Sequence, residues 1–244
     1  MPRFFVAPDA IGDTEIKIVG ADAHHIARAL RMAVGDGIDV CDGSGAEYSC
    51  RLSRIRDEEC VAEIIESRIS SRELPLDVTL YMAMPKGDKL EVVVQKAVEL
   101  GASSIVAFES ARCIKRPAPD KAAKLVERLS RIAYEAAKQC GRAKIPEVRG
   151  IISFRELLSE LPRYELSLFC YEAEDTVSVR SVLEGASDVR KMSAIVGSEG
   201  GFSEGEAESI VAAGARSVGL GPRILRCETA PEYVLSAISY NFEL

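Results

Sequence analysis

Tryptophan is missing from this 244-residue chain, and histidine occurs only at His24 and His25. Any catalytic imidazole would have to come from that one pair near the start of the chain. The seven cysteines (residues 41, 50, 60, 113, 140, 170 and 227) are odd in number and scattered, with no Cys-x-x-Cys pair. Such spacing predicts neither a disulfide framework nor a zinc site, but free thiols in a reducing cytosol. No cysteine is placed as a covalent nucleophile. No apolar run reaches membrane-spanning length, and the N-terminus lacks the charged-then-apolar pattern of an export signal, so a cytoplasmic protein is expected. No Gly-x-x-x-x-Gly-Lys-Ser/Thr phosphate loop occurs, and the glycine-rich turn at 197–201 lacks the dinucleotide spacing. Internal repeats and low-complexity segments are absent as well.

What is present is an ordinary globular composition, 47% hydrophobic and 28% charged, in a length that suits one or two domains. The net charge of −7 argues against bulk affinity for nucleic acid. That total hides an asymmetry. Between Arg112 and Arg149 eleven Lys/Arg stand against four acids, and local cation density is what attracts phosphate. On residues alone the run reads equally well as a solvated helix face. Residues 1–74 are acidic, nine Lys/Arg against fourteen Asp/Glu, so any nucleic-acid role there must be local.

Residues 1 to about 72 read as mostly β, with strands expected at Arg3–Ala7, Glu15–Val19, Gly37–Cys41, Glu47–Ile55 and Cys60–Ile69. Their close spacing suggests a small barrel. One helix, Asp22 to about Met32, interrupts them; on it His24, Arg28 and Arg31 fall at i, i+4 and i+7 and share a face. Ile26, Ala29, Leu30 and Ala33 supply its apolar side. After a linker at Ser70–Pro75 the pattern alternates strand and helix, which predicts an α/β domain with a mostly parallel sheet over 73–244. Leu76 to Met84 gives its first strand, and Asp88 is placed to cap the helix that follows. Pro119-Asp120 opens a long helix whose outer face carries much of the basic run. Leu166–Tyr171 is a strand, followed by the acidic loop 172–175.

The stretch 194–232 organises the second half. A buried strand (Ala194–Val196) enters the turn Gly197-Ser-Glu-Gly-Gly201. Ser203 and Glu206 then form a capping box for a helix that Gly214 ends. A second strand, Ser217–Leu220, enters Gly221-Pro-Arg-Ile-Leu-Arg226, and a last helix starts near Thr229 with Glu232 at capping-box spacing. If the two strands are parallel neighbours, their loops lie side by side at the sheet's carboxyl edge, where α/β proteins bind ligands.

The segments VGSEGGFSEGE and LGPRILRCETA resemble the paired C-terminal motifs of the RsmE family, SPOUT methyltransferases that methylate N3 of a uridine in 16S ribosomal RNA. Further matches are Met1-Pro-Arg-Phe-Phe5, His24–Arg31, Gln95–Gly101 and Glu135–Arg142, so the likeness spans nearly the whole chain. Two positions depart: Ser198 stands where the family usually has Pro, and Cys227 where it usually has Thr. The resemblance implies an N-terminal PUA-like RNA-binding barrel (1–72) and a C-terminal SPOUT domain (73–244) whose trefoil knot binds S-adenosylmethionine (SAM). It also implies a homodimer acting on 16S rRNA within the 30S subunit. For the cofactor it points to Val196, Gly197, Gly200, Leu220, Gly221, Ile224 and Leu225, with Glu172 toward the ribose; on residues alone Leu225 reads equally well as core, and Glu172 reads better as a solvated loop carboxylate. Toward RNA it points to Arg3, His24, Arg28, Arg31, Gln139 and Arg142, and it calls for no metal.

Methyl transfer from a sulfonium is a displacement, so positioning should dominate. The uridine N3 must also lose a proton, which an arginine near the uracil oxygens and a carboxylate acceptor would assist. Arg226 and Glu228 are the expected pair, with Arg223 behind them. A salt bridge between Arg226 and Glu228 that merely pins the loop is the competing structural reading. Two further functional readings stay open: a SPOUT methyltransferase with a transfer-RNA or ribose 2′-hydroxyl target, and a ribosome-assembly factor that binds RNA without catalysis.

Overall fold

The computed structural model describes residues 1–114, 117–172 and 176–244. Lys115 and Arg116 of the basic run, and 173–175 of the acidic loop, lie outside the described residues. Two compact units divide the chain. One comprises Met1–Glu73 with Ala137–Ile145, the other Leu74–Ala136 with Pro146–Leu244. Assignment of 137–145 to the first unit was not visible in the sequence.

The first unit is built on strands β1 (Arg3–Phe5), β2 (Glu15–Val19), β3 (Gly37–Cys41), β4 (Ala46–Ile55) and β5 (Glu59–Ile69), in the order β1-β3-β4-β5-β2. Between β2 and β3 stands a four-residue helix, α1 (Ala21–His24). The β4–β5 pairing slips at Ser49/Cys50 and Leu52/Arg54, and such bulges bend a sheet. The result is a half-barrel, with β1 and β2 as its two edges, rather than a closed small barrel. Alternation does the sorting: in β2, Ile16 and Ile18 are buried between exposed Glu15, Lys17 and Val19. They join Phe4, Ile26, Ile38, Val40 and Leu52 in one core.

The expected helix Asp22–Met32 is a correction. Beyond α1 the backbone widens into a π turn over His25–Ala29, with Leu30 N–H donating to the His25 carbonyl at 2.9 Å. Arg31 then takes a positive φ of 52°. Widening rotates every later side chain away from α-helical register, so His24, Arg28 and Arg31 do not form an i, i+4, i+7 face. Of the four apolar positions only Ile26 is buried.

The second unit follows as β6 (Asp77–Ala83), α2 (Lys89–Glu99), β7 (Ser104–Glu109), α3 (Pro119–Cys140), β8 (Glu147–Ser153), α4 (Phe154–Glu160), β9 (Leu166–Cys170), β10 (Val177–Ser178), α5 (Val179–Glu184), β11 (Lys191–Val196), α6 (Glu204–Ala212), β12 (Arg216–Gly219) and α7 (Thr229–Glu243). The seven-stranded sheet, β10-β12-β9-β11-β6-β7-β8, is parallel throughout. Burial runs unbroken along Val78–Ala83 and Met192–Val196, the mark of strands covered on both faces. The expected strands and the Ser203–Glu206 capping box are present. Asp88 and Thr229 do not cap with their side chains; at α7 the N–H groups of Thr229 and Ala230 both donate to the Arg226 carbonyl instead. Strands β11 and β12 are not neighbours, because β9 lies between them.

Candidate active site

The inserted strand is what aligns the loops. Cys170, the last residue of β9, pairs with Val196 on one side and with Val218 on the other. Three strands therefore end level, and the loops after β9, β11 and β12 leave from one carboxyl edge. A cavity of about 600 Å³ opens there, a size suited to a small cofactor.

Its walls combine apolar side chains with bare backbone. Val196 and Phe202 are buried, Leu220 and Leu225 partly so. Phe202 lies edge-on to Phe169 with centroids 5.0 Å apart, which fixes the turn after β11. A Cβ on Gly197 would sit 2.9 Å from the Phe202 ring, so the turn closes only with glycine there. Gly221 has a φ of +113° and open space where its Cβ would stand. Among the described residues the N–H groups of Leu220, Gly221 and Leu225 make no backbone hydrogen bond, which leaves donors for an adenine or a carboxylate.

Of the residues expected at the cofactor, Val196, Gly197, Leu220, Gly221, Ile224, Leu225 and Glu172 all line the cavity. Ile224 is 81% exposed, a rim residue rather than a wall. Gly200 is a correction. It does not line the cavity but backs onto Arg112, whose Cβ would lie 3.0 Å from an added Cβ and whose Nη1 donates to the Gly200 carbonyl at 3.0 Å.

Arg223 and Arg226 line the cavity, are exposed, and have no carboxylate partner among the described residues. Arg112 joins them; among the described residues its guanidinium bonds to the Gly200 carbonyl and to no carboxylate. In the sequence Arg112 is simply the first cation of the basic run. Its link to the site is three-dimensional: the β7 loop is tied to α6 because Ala111 N–H donates to Glu206 Oε1 at 2.6 Å.

The Arg226–Glu228 salt bridge is not formed. Glu228 does not line the cavity and pairs with Lys89 at 3.0 Å, so its placement as the carboxylate beside the substrate is also corrected. Lys89 Nζ lies 3.0 Å from Glu199 as well, and Glu199 is a lining residue. Partial burial pushes the Glu199 carboxyl up, but its own N–H, Lys89 and the Lys86 amide outweigh this and hold it below the usual carboxylate range. The Cys227 thiol, the Glu228 N–H and Lys89 likewise hold Glu228 low. Burial, then the hydrogen bond to Glu228, pushes the Cys227 thiol up to about 12. Cys227 therefore stays a neutral donor, 3.2 Å from Glu228 Oε2, and stands in for a hydroxyl there.

Comparison with known proteins turns this geometry into an assignment. A family profile for an RNA methyltransferase domain matches residues 72–239, and one for an RNA methyltransferase PUA domain matches 18–65. The ribosomal RNA small subunit methyltransferase E of Bacillus subtilis is 39% identical over 231 residues, covering 93% of this chain and 90% of its own. This chain belongs to the ribosomal RNA small subunit methyltransferase E family. Its Synechocystis relative is 32% identical, covering 99% of this chain and 78% of its own. The family's crystal structure from Neisseria gonorrhoeae, bound to S-adenosyl methionine, has 30% identity and a TM-score of 0.86, covering 98% and 97% of the two chains.

The first unit, the PUA portion of this methyltransferase E chain, holds the residues expected at RNA, and they divide sharply. His24, Arg28, Arg31 and Gln139 are exposed, with Arg28 paired to Asp57. Arg3 and Arg142 are corrections. Arg3 is 7% exposed and bonds to Glu47 at 2.8 Å and Cys41 at 2.9 Å; Arg142 is 4% exposed and bonds to Glu73 at 2.7 Å. Both are buried cations whose charge the fold itself uses.

Ser198 is buried, and its Oγ has no hydrogen-bond partner. A buried unsatisfied hydroxyl costs about 1–3 kcal/mol. Ser198→Ala is therefore expected to raise stability by about 1 kcal/mol, read as a higher calorimetric unfolding midpoint. A lower midpoint would mean that the hydroxyl is satisfied.

Proposed function

We propose that this chain transfers the methyl group of SAM to N3 of a uridine in 16S ribosomal RNA, within the 30S subunit, as a cytoplasmic homodimer. The observation that carries the reading is the rim of the cavity: Arg112, Arg223 and Arg226 line it with no carboxylate partner among the described residues. Residues 73–244 supply the catalytic SPOUT domain, and the trefoil knot belongs to that reading. Residues 1–72 supply the RNA-binding domain, assisted by the exposed cations Lys121, Lys124 and Arg131 of α3. The exposed Tyr233 and Tyr240 of α7 offer a dimer surface.

When bound in the cavity, SAM supplies an electrophilic methyl group. Val196, Leu220 and Leu225 would hold the adenine, and the free N–H groups of the β12 loop would bond its polar edge. Arg226, with Arg223, faces the uracil oxygens, where negative charge grows as N3 gives up its proton. Stabilising that anion matters because the wall carboxylate, Glu199, is a weak base. It is ionised at neutral pH and accepts the proton only from a base whose acidity the arginines have raised. Glu172, which lines the same cavity, would accept from the ribose hydroxyls.

The test supplies radiolabelled SAM and small ribosomal subunits from cells lacking the gene, followed by nucleoside chromatography. Label in 3-methyluridine is the expected result. Label in another nucleoside would replace the target, and no label without SAM binding would leave the RNA-binding assembly factor as the better reading.

A further inference from the structure

Among the described residues, Lys89 is the one cation of the cavity wall that is paired with carboxylates. It stands at the first position of α2, half-buried, and touches three groups from two other segments: Glu199 at 3.0 Å, Glu228 at 3.0 Å and the Cys227 thiol at 3.7 Å. Glu199 is bound a second time by the Lys86 amide, at 3.2 and 3.3 Å. A single ammonium thus joins the turn after β11, the start of α7 and the loop after β6. Two carboxylates so close to one Nζ stand within roughly 6 Å of each other, a separation at which like charges raise each other's pKa.

We propose that Lys89 is the positioning residue of this site: it holds Glu199 and Glu228 together as an ionised pair, and so keeps the cavity-wall carboxylate charged and in place. The proposal rests on the methyltransferase reading, because it is Glu199 that meets the substrate proton. Lys89 acts through Glu199 and touches neither substrate nor proton.

The charge state is set by Lys89 itself, Glu199, Glu228, the neutral Cys227 thiol and the amide of Lys86. With Lys89 present both carboxylates sit below their ordinary range, so their stabilisation is complete at neutral pH and is lost only on strong acidification. Removing the ammonium reverses the sign. One carboxylate then titrates above its unfolded value, and stability falls as the pH rises through that raised value.

The experiment compares wild type with Lys89→Met, Lys89→Arg and the double variant Lys89→Met/Glu199→Gln. Methyl transfer to small subunits is followed from pH 5 to 9, SAM affinity by calorimetry without RNA, and the unfolding midpoint at each pH. For Lys89→Met the acid limb of the rate profile should move up by about one pH unit or more, and its midpoint deficit against wild type should widen from pH 5 to pH 8. Lys89→Arg should restore both. In the double variant a single carboxylate remains, so the widening deficit should vanish; this variant also serves if Lys89→Met does not fold. A parallel rate profile with a pH-independent deficit would overturn the proposal. So would a large loss of SAM affinity with the acid limb unmoved, which would make Lys89 a direct cofactor contact. Absence of transfer by the wild type would count against the methyltransferase reading instead, while the midpoint series would still judge the carboxylate pair.

Discussion

Arg226→Ala is expected to slow methyl transfer by about 100- to 1,000-fold, the loss seen when a preorganised donor to developing negative charge is removed. Stability should not follow. The guanidinium is exposed and has no acidic partner among the described residues, and surface substitutions of that kind usually stay within about 0.5 kcal/mol. The structural contribution of Arg226 comes from its backbone, whose carbonyl accepts the Thr229 and Ala230 N–H groups at 2.9 and 3.0 Å. Alanine keeps that carbonyl. SAM affinity measured without RNA should therefore change less than about threefold, or under 1 kcal/mol, while the single-turnover rate collapses. Arg226→Lys should recover little, since a point-like ammonium cannot present the planar fork of donors. Wild-type turnover in Arg226→Ala, with normal SAM binding, would remove this arginine from the chemistry.

The division between what the sequence disclosed and what it withheld follows from the range of the interactions. The strands, the glycine turns and the Ser203–Glu206 box are local, set by alternation, φ and a three-residue spacing, and they stand where expected. The edge strand β8 and the short elements β10 and α5 were not expected: β8 has no fully buried residue, and β10 is two exposed residues, Val177 and Ser178, without an alternating pattern. The π turn at His25–Ala29 was also hidden, because its residues fit an ordinary helix as well. At the site, the loop residues were legible because two motifs carry them. Lys89 was not. Its spacing after Gly87-Asp88 reads as a plain helix start; the sheet order, with β11 beside β6, brings Glu199 to it, and the packing of α7 on α2 brings Glu228. The same limit explains Arg3 and Arg142. An arginine beside a motif looks like a surface cation until a buried or half-buried glutamate 44 or 69 residues away is found paired to it.

That pairing gives the second large effect: Arg3→Met should destabilise the first unit by about 3–5 kcal/mol, the cost of breaking a buried ion pair from one side. Arg3 joins β1 to β3 and β4 through Glu47 at 2.8 Å, Cys41 at 2.9 Å and Asp39 at 3.6 Å. Without it, Glu47 and Asp39 remain almost fully buried, and Asp39 Oδ1 already lacks a partner. Arg68 still reaches Glu47 at 2.8 Å, but its side chain is 45% exposed and better screened by water. Burial pushes Glu47 up, yet the hydrogen bonds from Arg3 and Arg68 outweigh it and hold the carboxyl below its usual range. In the wild type its contribution is therefore present above the unfolded carboxylate value and lost as the pH falls through the lower folded one. In Arg3→Met the sign inverts, and the penalty should be largest near pH 7 and shrink toward pH 5, where the stranded Glu47 carboxylate takes a proton. The chain has no tryptophan, so the measurement is urea unfolding followed by far-ultraviolet circular dichroism, with hydrogen exchange locating the loss in β1, β3 and β4. Adding Glu47→Leu should return much of it, since an apolar pair of similar volume often replaces a buried ion pair at little cost. A loss below about 1 kcal/mol, or exchange that quickens equally in both units, would mean that Arg3 is not the strut of this sheet.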